Sequence, residues 1–161
     1  VYVTTLQRTV QTAAPLVERL GLEPIVEADL REVFLGDWEG GEFRRRVADG
    51  DPIAQQMYVE QRWDVIPGGE PAHQFENRVR RGIHRIAAAH PDELVVAVVH
   101  GGVIGQVMNI ATGSAGFAFT GAANASISHI VVAAEDHWIV RCWNDTSHLS
   151  PTFGVISEPL I

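Results

Sequence analysis

The longest unbroken apolar run in the chain is Leu94-Val95-Val96-Ala97-Val98-Val99, in which most residues are β-branched. Such a run predicts a strand buried on both faces, the usual state of a central strand in a parallel sheet. His100, Gly101 and Gly102 follow, and then an apolar segment with helical spacing through Met108. The strand therefore delivers His100 to the mouth of a helix. In open α/β sheets ligands bind beyond the carboxyl ends of strands. A helix start also offers free N–H groups and a partial positive charge. An anion facing His100 is the natural expectation.

The remaining pattern fills in an α/β chain. Val1-Tyr2-Val3 predicts a short strand, after which Thr4 and Thr5 offer a helix N-cap. Leu6, Val10, Ala13, Val17 and Leu20 form one stripe of a helix that Gly21 ends. Arg8 lies off that stripe, either as a solvated surface cation or as a group sharing the helix mouth with an anion. Glu23 to Glu27 reads as an edge strand, with Pro24 tolerated near its start. Residues 30–41 carry Gly36, Trp38, Gly40 and Gly41 and predict a structured loop, with Glu32 beside its apolar part. Residues 42–62 predict two helical pieces broken near Gly50-Asp51-Pro52, and Pro67-Gly68-Gly69 a turn. Pro71 to Ala89 predicts a helix with Phe75, Val79, Ile83 and Ile86 as its buried stripe. Ile127 to Ala133 and Trp138 to Trp143 predict a hairpin around Glu135-Asp136, and Asn144 to Ile161, which includes His148, an irregular tail. The order of elements predicts an α/β fold, a three-layer α/β/α sandwich with a mostly parallel mixed sheet.

Composition narrows the chemistry. At 161 residues, one domain is expected. A net charge of −8 argues against a general nucleic-acid or acidic-membrane binder, so any positive charge for an anion must be local. The lone Cys142 rules out an internal disulfide framework and points to a reducing, cytoplasmic setting. No apolar run reaches the ~18 residues of a membrane span, and no signal peptide is visible. The glycine pattern after Val99 fails as a dinucleotide fingerprint because His100 stands at its first position, and no acidic residue follows about 20 positions later. No Walker pattern, zinc-type paired histidines or serine elbow occurs, and Asp49-Gly50-Asp51 is too short for a calcium loop. Arg44, Arg45 and Arg46 lie about 100° apart around a helix and cannot all face one ligand. What remains is an anion site built from a histidine, an arginine and an acid on separate strand-end loops.

Six motifs then occur in register from end to end: Val1-Tyr2-Val3-Thr4-Thr5-Leu6-Gln7-Arg8-Thr9, Leu30-Arg31-Glu32 with Gly36-Asp37-Trp38-Glu39-Gly40, Pro67-Gly68-Gly69-Glu70, Val98-Val99-His100-Gly101-Gly102-Val103, Asn124-Ala125-Ser126-Ile127, and Asn144-Asp145-Thr146-Ser147-His148-Leu149. Together they resemble the phosphoglycerate-mutase-like first branch of the histidine phosphatase superfamily. The resemblance implies a metal- and cofactor-independent phosphohistidine mechanism. It implies that Arg8, His100 and Gly101 bind the phosphoryl oxygens, that His100 is the second, supporting histidine, and that Glu32 is the general acid for the leaving oxygen. The implied partner is a small phosphorylated substrate or inorganic phosphate.

The family's Arg-His-Gly nucleophile segment, which lies upstream of these motifs, does not occur in the 161 residues. The first strand of the family fold is missing with it, and none of the other histidines is placed to substitute. The expectation is therefore an N-terminally truncated domain of an active enzyme, with a phosphate-binding or scaffolding pseudo-enzyme as the rival reading. The open sheet edge makes a strand-exchanged homodimer one repair. Glu39-Gly40 resembles the phosphatase members more than the glycolytic mutases. Residues 42–75, with Phe43, Tyr58 and Trp63, are expected to cover the pocket. Thr4-Thr5 in place of Ser-Pro and Pro71 in place of Ser depart from the family pattern.

Overall fold

The computed structural model describes residues 1–149. Strand β1 (Tyr2–Val3) leads into helix α1 (Gln7–Leu20), then β2 (Ile25–Val26), α2 (Glu42–Ala48), α3 (Pro52–Glu60), α4 (Ala72–Ala89), α5 (Gly101–Thr112) and the strands β3 (Ile127–Ala134) and β4 (His137–Asp145). Short 3-10 turns at Ala28–Leu30, Gly36–Trp38 and Trp63–Val65 shape the loops between them. The α/β class is as expected. No helix among the described residues is long and apolar enough to cross a membrane.

β1 pairs in parallel with β2, matching Tyr2 to Ile25 and Val3 to Val26. On its other side it meets the Leu94–Val99 segment, where Tyr2 N–H donates to Val96 O at 2.8 Å and Val98 N–H to Tyr2 O at 2.9 Å. β3 and β4 form the predicted hairpin as a separate antiparallel pair. Strand pairing is thus mixed, but among the described residues the parallel and antiparallel groups share no ladder.

The expected burial of Leu94–Val99 on both faces is corrected. The segment is extended and paired on one edge only, and Leu94 is 86% and Val96 41% exposed. Its free edge faces a groove of about 370 Å³ whose far wall includes Ser128, Ile130 and Val132 of β3. A second strand neighbour would bury this run, and none stands beside it among the described residues.

The main core packs Phe75, Val79 and Ile86 of α4 against Val103, Val107 and Met108 of α5, with Leu30 and Val33 from the loop. This is the stripe that the spacing predicts for α4. A second cluster gathers Trp38, Phe43, Met57 and Ile66, joined by Tyr58, Trp63 and Phe117. The aromatic residues expected to cover the pocket therefore pack into the core, with the tilted rings of Trp63 and Phe117 4.6 Å apart between centroids. Flat apolar rings gain more by burial against one another than by lining a wet cleft.

Two local corrections matter for the site. Leu6, not Thr4 or Thr5, occupies the N-cap position of α1, without a side-chain cap bond. The buried Thr4 hydroxyl accepts from Leu6 N–H at 3.2 Å and is engaged with Thr9 and His100 as well. The expected tail begins later than predicted, since β4 runs through Asp145. The part of it beyond residue 149 lies outside the described residues. Arg45 pairs with Glu42 on its own helix and Arg46 with Asp51 at the start of α3, as surface charges do.

Candidate active site

Three chain segments converge where Leu94–Val99 ends. The first is the start of α1. Thr4 N–H donates to the Thr9 hydroxyl at 3.0 Å, and that hydroxyl donates to Leu6 O at 2.8 Å. This small network pins the turn between β1 and α1 and leaves the Thr4 hydroxyl 2.9 Å from His100 Nε2. One helical turn on, Arg8 Nε donates to His100 Nδ1 at 3.2 Å. The off-stripe position of Arg8 that reads as solvated surface is what allows it to bend back over the helix mouth.

The second segment is His100 with the start of α5. His100 is 5% exposed and occupies the N-cap position in an extended conformation. Because Nδ1 accepts from Arg8, the neutral ring carries its proton on Nε2 and donates it to Thr4. Burial holds the imidazole pKa down to about 4, and the charges of Arg8, Arg31 and Arg78 reinforce this. The first turn of α5 contains no acidic residue and no side-chain cap. Among the described residues, the Gly101 N–H has no partner. Its donor and the helix dipole are available to an anion.

The third segment is the 29–34 loop. Glu32 reaches the same helix start, accepting from Gly102 N–H at 3.3 Å and from Val33 N–H at 3.0 Å. Burial pushes its pKa above the usual 4.5, opposed by those N–H donors and by Arg8. Burial that disfavours the charged form suits a carboxyl to holding a proton and giving it up. Gly102 makes the approach possible, since a Cβ there would lie 2.5 Å from Glu32 Oε1.

The loop itself is held by Arg78 of α4. Its guanidinium donates to the carbonyls of Asp29 (2.7 Å), Arg31 (2.5 Å) and Glu32 (3.1 Å) and makes a two-point bond to Glu70 at 2.6 and 2.7 Å. Glu70 in turn accepts from Phe34 N–H at 3.2 Å. The Pro67-Gly68-Gly69 turn docks on the same loop through Asp37 N–H to Pro67 O at 2.9 Å. Any side chain at Gly36, which has φ +55°, would strike that carbonyl. Beyond Glu32 opens a cavity of about 410 Å³ lined by Arg31, Glu32, Phe34, Glu70, Gln74 and Arg78 among others.

All four residues singled out from sequence, Arg8, Glu32, His100 and Gly101, thus meet around one helix start. Sequence reasoning missed Thr4, which it read as a cap, and the Glu70–Arg78 pair. A signal for Arg78 existed. It lies three residues after Phe75 and just before Val79 on a strongly amphipathic helix, at the border of the buried stripe, where an arginine must find partners.

Fold and site define an α/β protein with a cationic, partly desolvated cluster at a strand end, one wall of which is the Glu32 carboxyl. The chain belongs to the histidine phosphatase superfamily, branch 1, whose family profile matches residues 1–146. It is 34% identical over 155 residues to phosphoglycerate mutase-like protein 4 of Arabidopsis thaliana, covering 94% of this chain and 66% of that protein. It is 30% identical over 154 residues to a metal-independent phosphoserine phosphatase of the same plant, covering 93% of this chain and 63% of the relative. The chain therefore spans just under two thirds of the length of these relatives. Among solved structures, mycobacterial glucosyl-3-phosphoglycerate phosphatase in complex with inorganic phosphate superposes with a TM-score of 0.75 at 28% identity, covering 93% of this chain and 78% of that one.

Proposed function

We propose that this chain is the phosphoryl-binding and proton-donating part of a phosphomonoesterase that hydrolyses small phosphorylated metabolites through a phosphohistidine, with no metal. The observation that carries the reading is the Arg8–His100 pair set against the open start of α5, with Glu32 resting on the same helix start. Cations and N–H donors placed there favour the charge that spreads over phosphoryl oxygens in the transition state. In the first step a histidine nitrogen forms a bond to phosphorus, the ester P–O bond breaks, and the departing alkoxide takes the Glu32 proton. In the second step water attacks phosphorus, the N–P bond breaks, and the now ionised Glu32 accepts the proton released by that water. Inorganic phosphate leaves.

The attacking histidine is proposed to lie outside the 161 residues. Of the others in the described chain, His84 bonds to Glu135 O at 2.8 Å, and His90 to the Tyr2 hydroxyl at 3.0 Å and to Glu93. A segment entering the groove between Leu94–Val99 and β3, parallel to the former, would end beside His100. That placement favours a longer active enzyme over a pseudo-enzyme, and the phosphatase names among the relatives favour hydrolysis over mutase chemistry.

Two measurements test the reading. Inorganic phosphate should perturb the His100 and Gly101 resonances of the wild-type chain, and Arg8→Gln should weaken that binding by about tenfold, the worth of one charge-assisted contact. A chain extended through the upstream coding sequence should hydrolyse a generic phosphomonoester while the 161-residue chain does not. Turnover by the short chain would overturn the assignment of the nucleophile. Labelled phosphate passing to an acceptor hydroxyl faster than to water would make the parent enzyme a mutase.

A further inference from the structure

Three arginines of α4, Arg78, Arg81 and Arg85, are spaced three and four residues apart and so lie along one face of the helix. All three grip the stretch 27–32, which ends at Glu32. Arg85 pairs with Glu27 at 2.7 Å and with Asp29 at 2.5 Å, and Arg81 with Asp29 at 3.4 Å. Between them Gly82 lets the helix approach Leu30 closely, since a Cβ there would come within 3.0 Å of Leu30 Cδ2. The row is not uniform. The side chains of Arg81 and Arg85 are 59% and 52% exposed, and they meet carboxylates. That of Arg78 is 15% exposed and meets three backbone carbonyls, among them that of Glu32, while its carboxylate partner Glu70 is 13% exposed.

The inner pair can therefore do what the outer arginines cannot. The Glu32 carboxyl accepts from the N–H of its own neighbour, Val33, and from Gly102 N–H, so its position follows from the path of its backbone. Arg78 fixes that path at Asp29, Arg31 and Glu32, and Glu70 fixes it two residues on by accepting from Phe34 N–H. A bare guanidinium in this place would also favour an ionised Glu32. Glu70, bound to Arg78 at two points, reduces that charge to an ion-pair dipole, and what remains is felt at His100, where it helps to keep the ring neutral. Arg8 of α1, the Val33 N–H and the Gly102 and Val103 N–H groups of α5 also face the Glu32 carboxyl and favour its anion, against burial, which favours the acid. Arg31 shares the cavity wall with it.

We propose that Arg78 and Glu70 are positioning residues for Glu32: Arg78 sets the carboxyl over the start of α5, and Glu70 offsets the charge that this anchor would otherwise bring. This rests on the reading of Glu32 as proton donor given above, and adds what holds the donor in place and in its acid form.

The test follows the Glu32 carboxyl by carbon NMR through a pH titration of the 161-residue chain, together with the Gly102 N–H resonance, which reports the bond between them. Arg78→Lys keeps the charge but has no planar fork to serve three carbonyls and a carboxylate. The Glu32 carboxyl should then move into water, its midpoint falling toward the ordinary carboxylate value, and Gly102 N–H should cease to follow it. Glu70→Gln keeps an acceptor for Phe34 N–H but uncovers the charge of Arg78. The midpoint should fall by about one pH unit while Gly102 N–H still follows it. Arg85→Met leaves the buried Glu27 without its partner and loosens the same stretch farther from the acid. It should lower the thermal midpoint and leave the Glu32 titration in place. Thermal melts check folding, and Glu70→Gln, the milder change, decides alone if Arg78→Lys unfolds the chain. A Glu32 titration unchanged in folded Arg78→Lys or in Glu70→Gln, or shifted equally by Arg85→Met, overturns the proposal and leaves the phosphoryl site standing. Inorganic phosphate should still bind all three variants. Its failure to bind the wild-type chain, or binding insensitive to Arg8→Gln, overturns the phosphoryl-site reading and with it the donor that this pair would serve.

Discussion

Protonating His100 should unfold the site, and the size of the effect follows from its surroundings. The ring is buried, and Arg8 donates to its Nδ1 while Arg31 and Arg78 oppose a second proton, so its pKa falls from 6.5 to about 4. In the unfolded chain the ordinary value applies. Between these limits the unfolded state binds a proton that the folded state refuses. The stability associated with the neutral ring is therefore complete above about pH 6.5, declines as pH falls, and is fully lost below about pH 4. The difference corresponds to about 3 kcal/mol, a large part of the 5–15 kcal/mol that holds an ordinary domain together. Urea unfolding followed by tryptophan fluorescence at pH 7, 5.5 and 4 measures it, with His100→Gln as the reference. Carboxylates also titrate in this range, but they are common to both chains and cancel in the difference. Parallel loss of stability in the two chains would refute the reasoning. Inorganic phosphate bound at Arg8 would favour the imidazolium and should shrink the gap.

Three further changes probe the framework around the site. Arg78→Met removes the donor shared by three loop carbonyls and leaves the Glu70 carboxylate buried without its partner. It should cost about 3–5 kcal/mol in urea unfolding, and part of that should return in the Arg78→Met/Glu70→Met double variant. Gly102→Ala puts a methyl group 2.5 Å from Glu32 Oε1 and should push the carboxyl out into water; the Glu32 carboxyl pKa, read by carbon NMR, should fall back toward 4.5. Thr4→Val keeps the shape but removes the acceptor for the His100 Nε2 proton, which should cost about 1–2 kcal/mol at pH 7 by the same unfolding assay.

Periodicity carried most of the fold because the helices here bury one stripe each. Phe75, Val79 and Ile86 on α4 fall where the 3.6-residue repeat puts them, and Gly21 ends α1 in the left-handed conformation its lack of a Cβ permits. The run Leu94–Val99 misled for a physical reason. An apolar β-branched run reports that both of its faces and edges are suited to burial, and not that the partners are present in the same stretch of chain. Arg8, Glu32, His100 and Gly101 were legible because each follows a strand or loop of recognisable pattern. The Glu70–Arg78 clamp was not, since it joins α4 to carbonyls more than forty residues away, and backbone acceptors have no sequence signature. Thr4 was read locally as a cap; its hydroxyl does accept the Leu6 N–H, but the long-range partner His100, which shares it, has no local signature.

The hydrogen bonds of His100 bear directly on who attacks phosphorus. A nucleophilic imidazole needs one nitrogen lone pair free and facing the substrate. In His100 the Nδ1 lone pair receives the Arg8 N–H at 3.2 Å, and Nε2 carries the proton directed at Thr4 at 2.9 Å. Neither nitrogen is free. Moving the ring proton to Nδ1 would not release one, because it would set an N–H against the Arg8 guanidinium donor and leave a lone pair toward Thr4, beside which there is no open space: Thr4 is 1% exposed and bonded to Thr9. The low pKa acts in the same direction, since it keeps His100 neutral and so preserves the acceptor that orients Arg8. The result is a histidine that aims a guanidinium rather than one that reacts. An aimed cation, an open helix start and a protonatable carboxyl are the parts that the proposed function assigns to holding and releasing a phosphoryl group. In the proposed mechanism the free imidazole comes from outside this cluster, and the unpaired edge of Leu94–Val99, which leads straight to His100, is the side from which a strand could bring it.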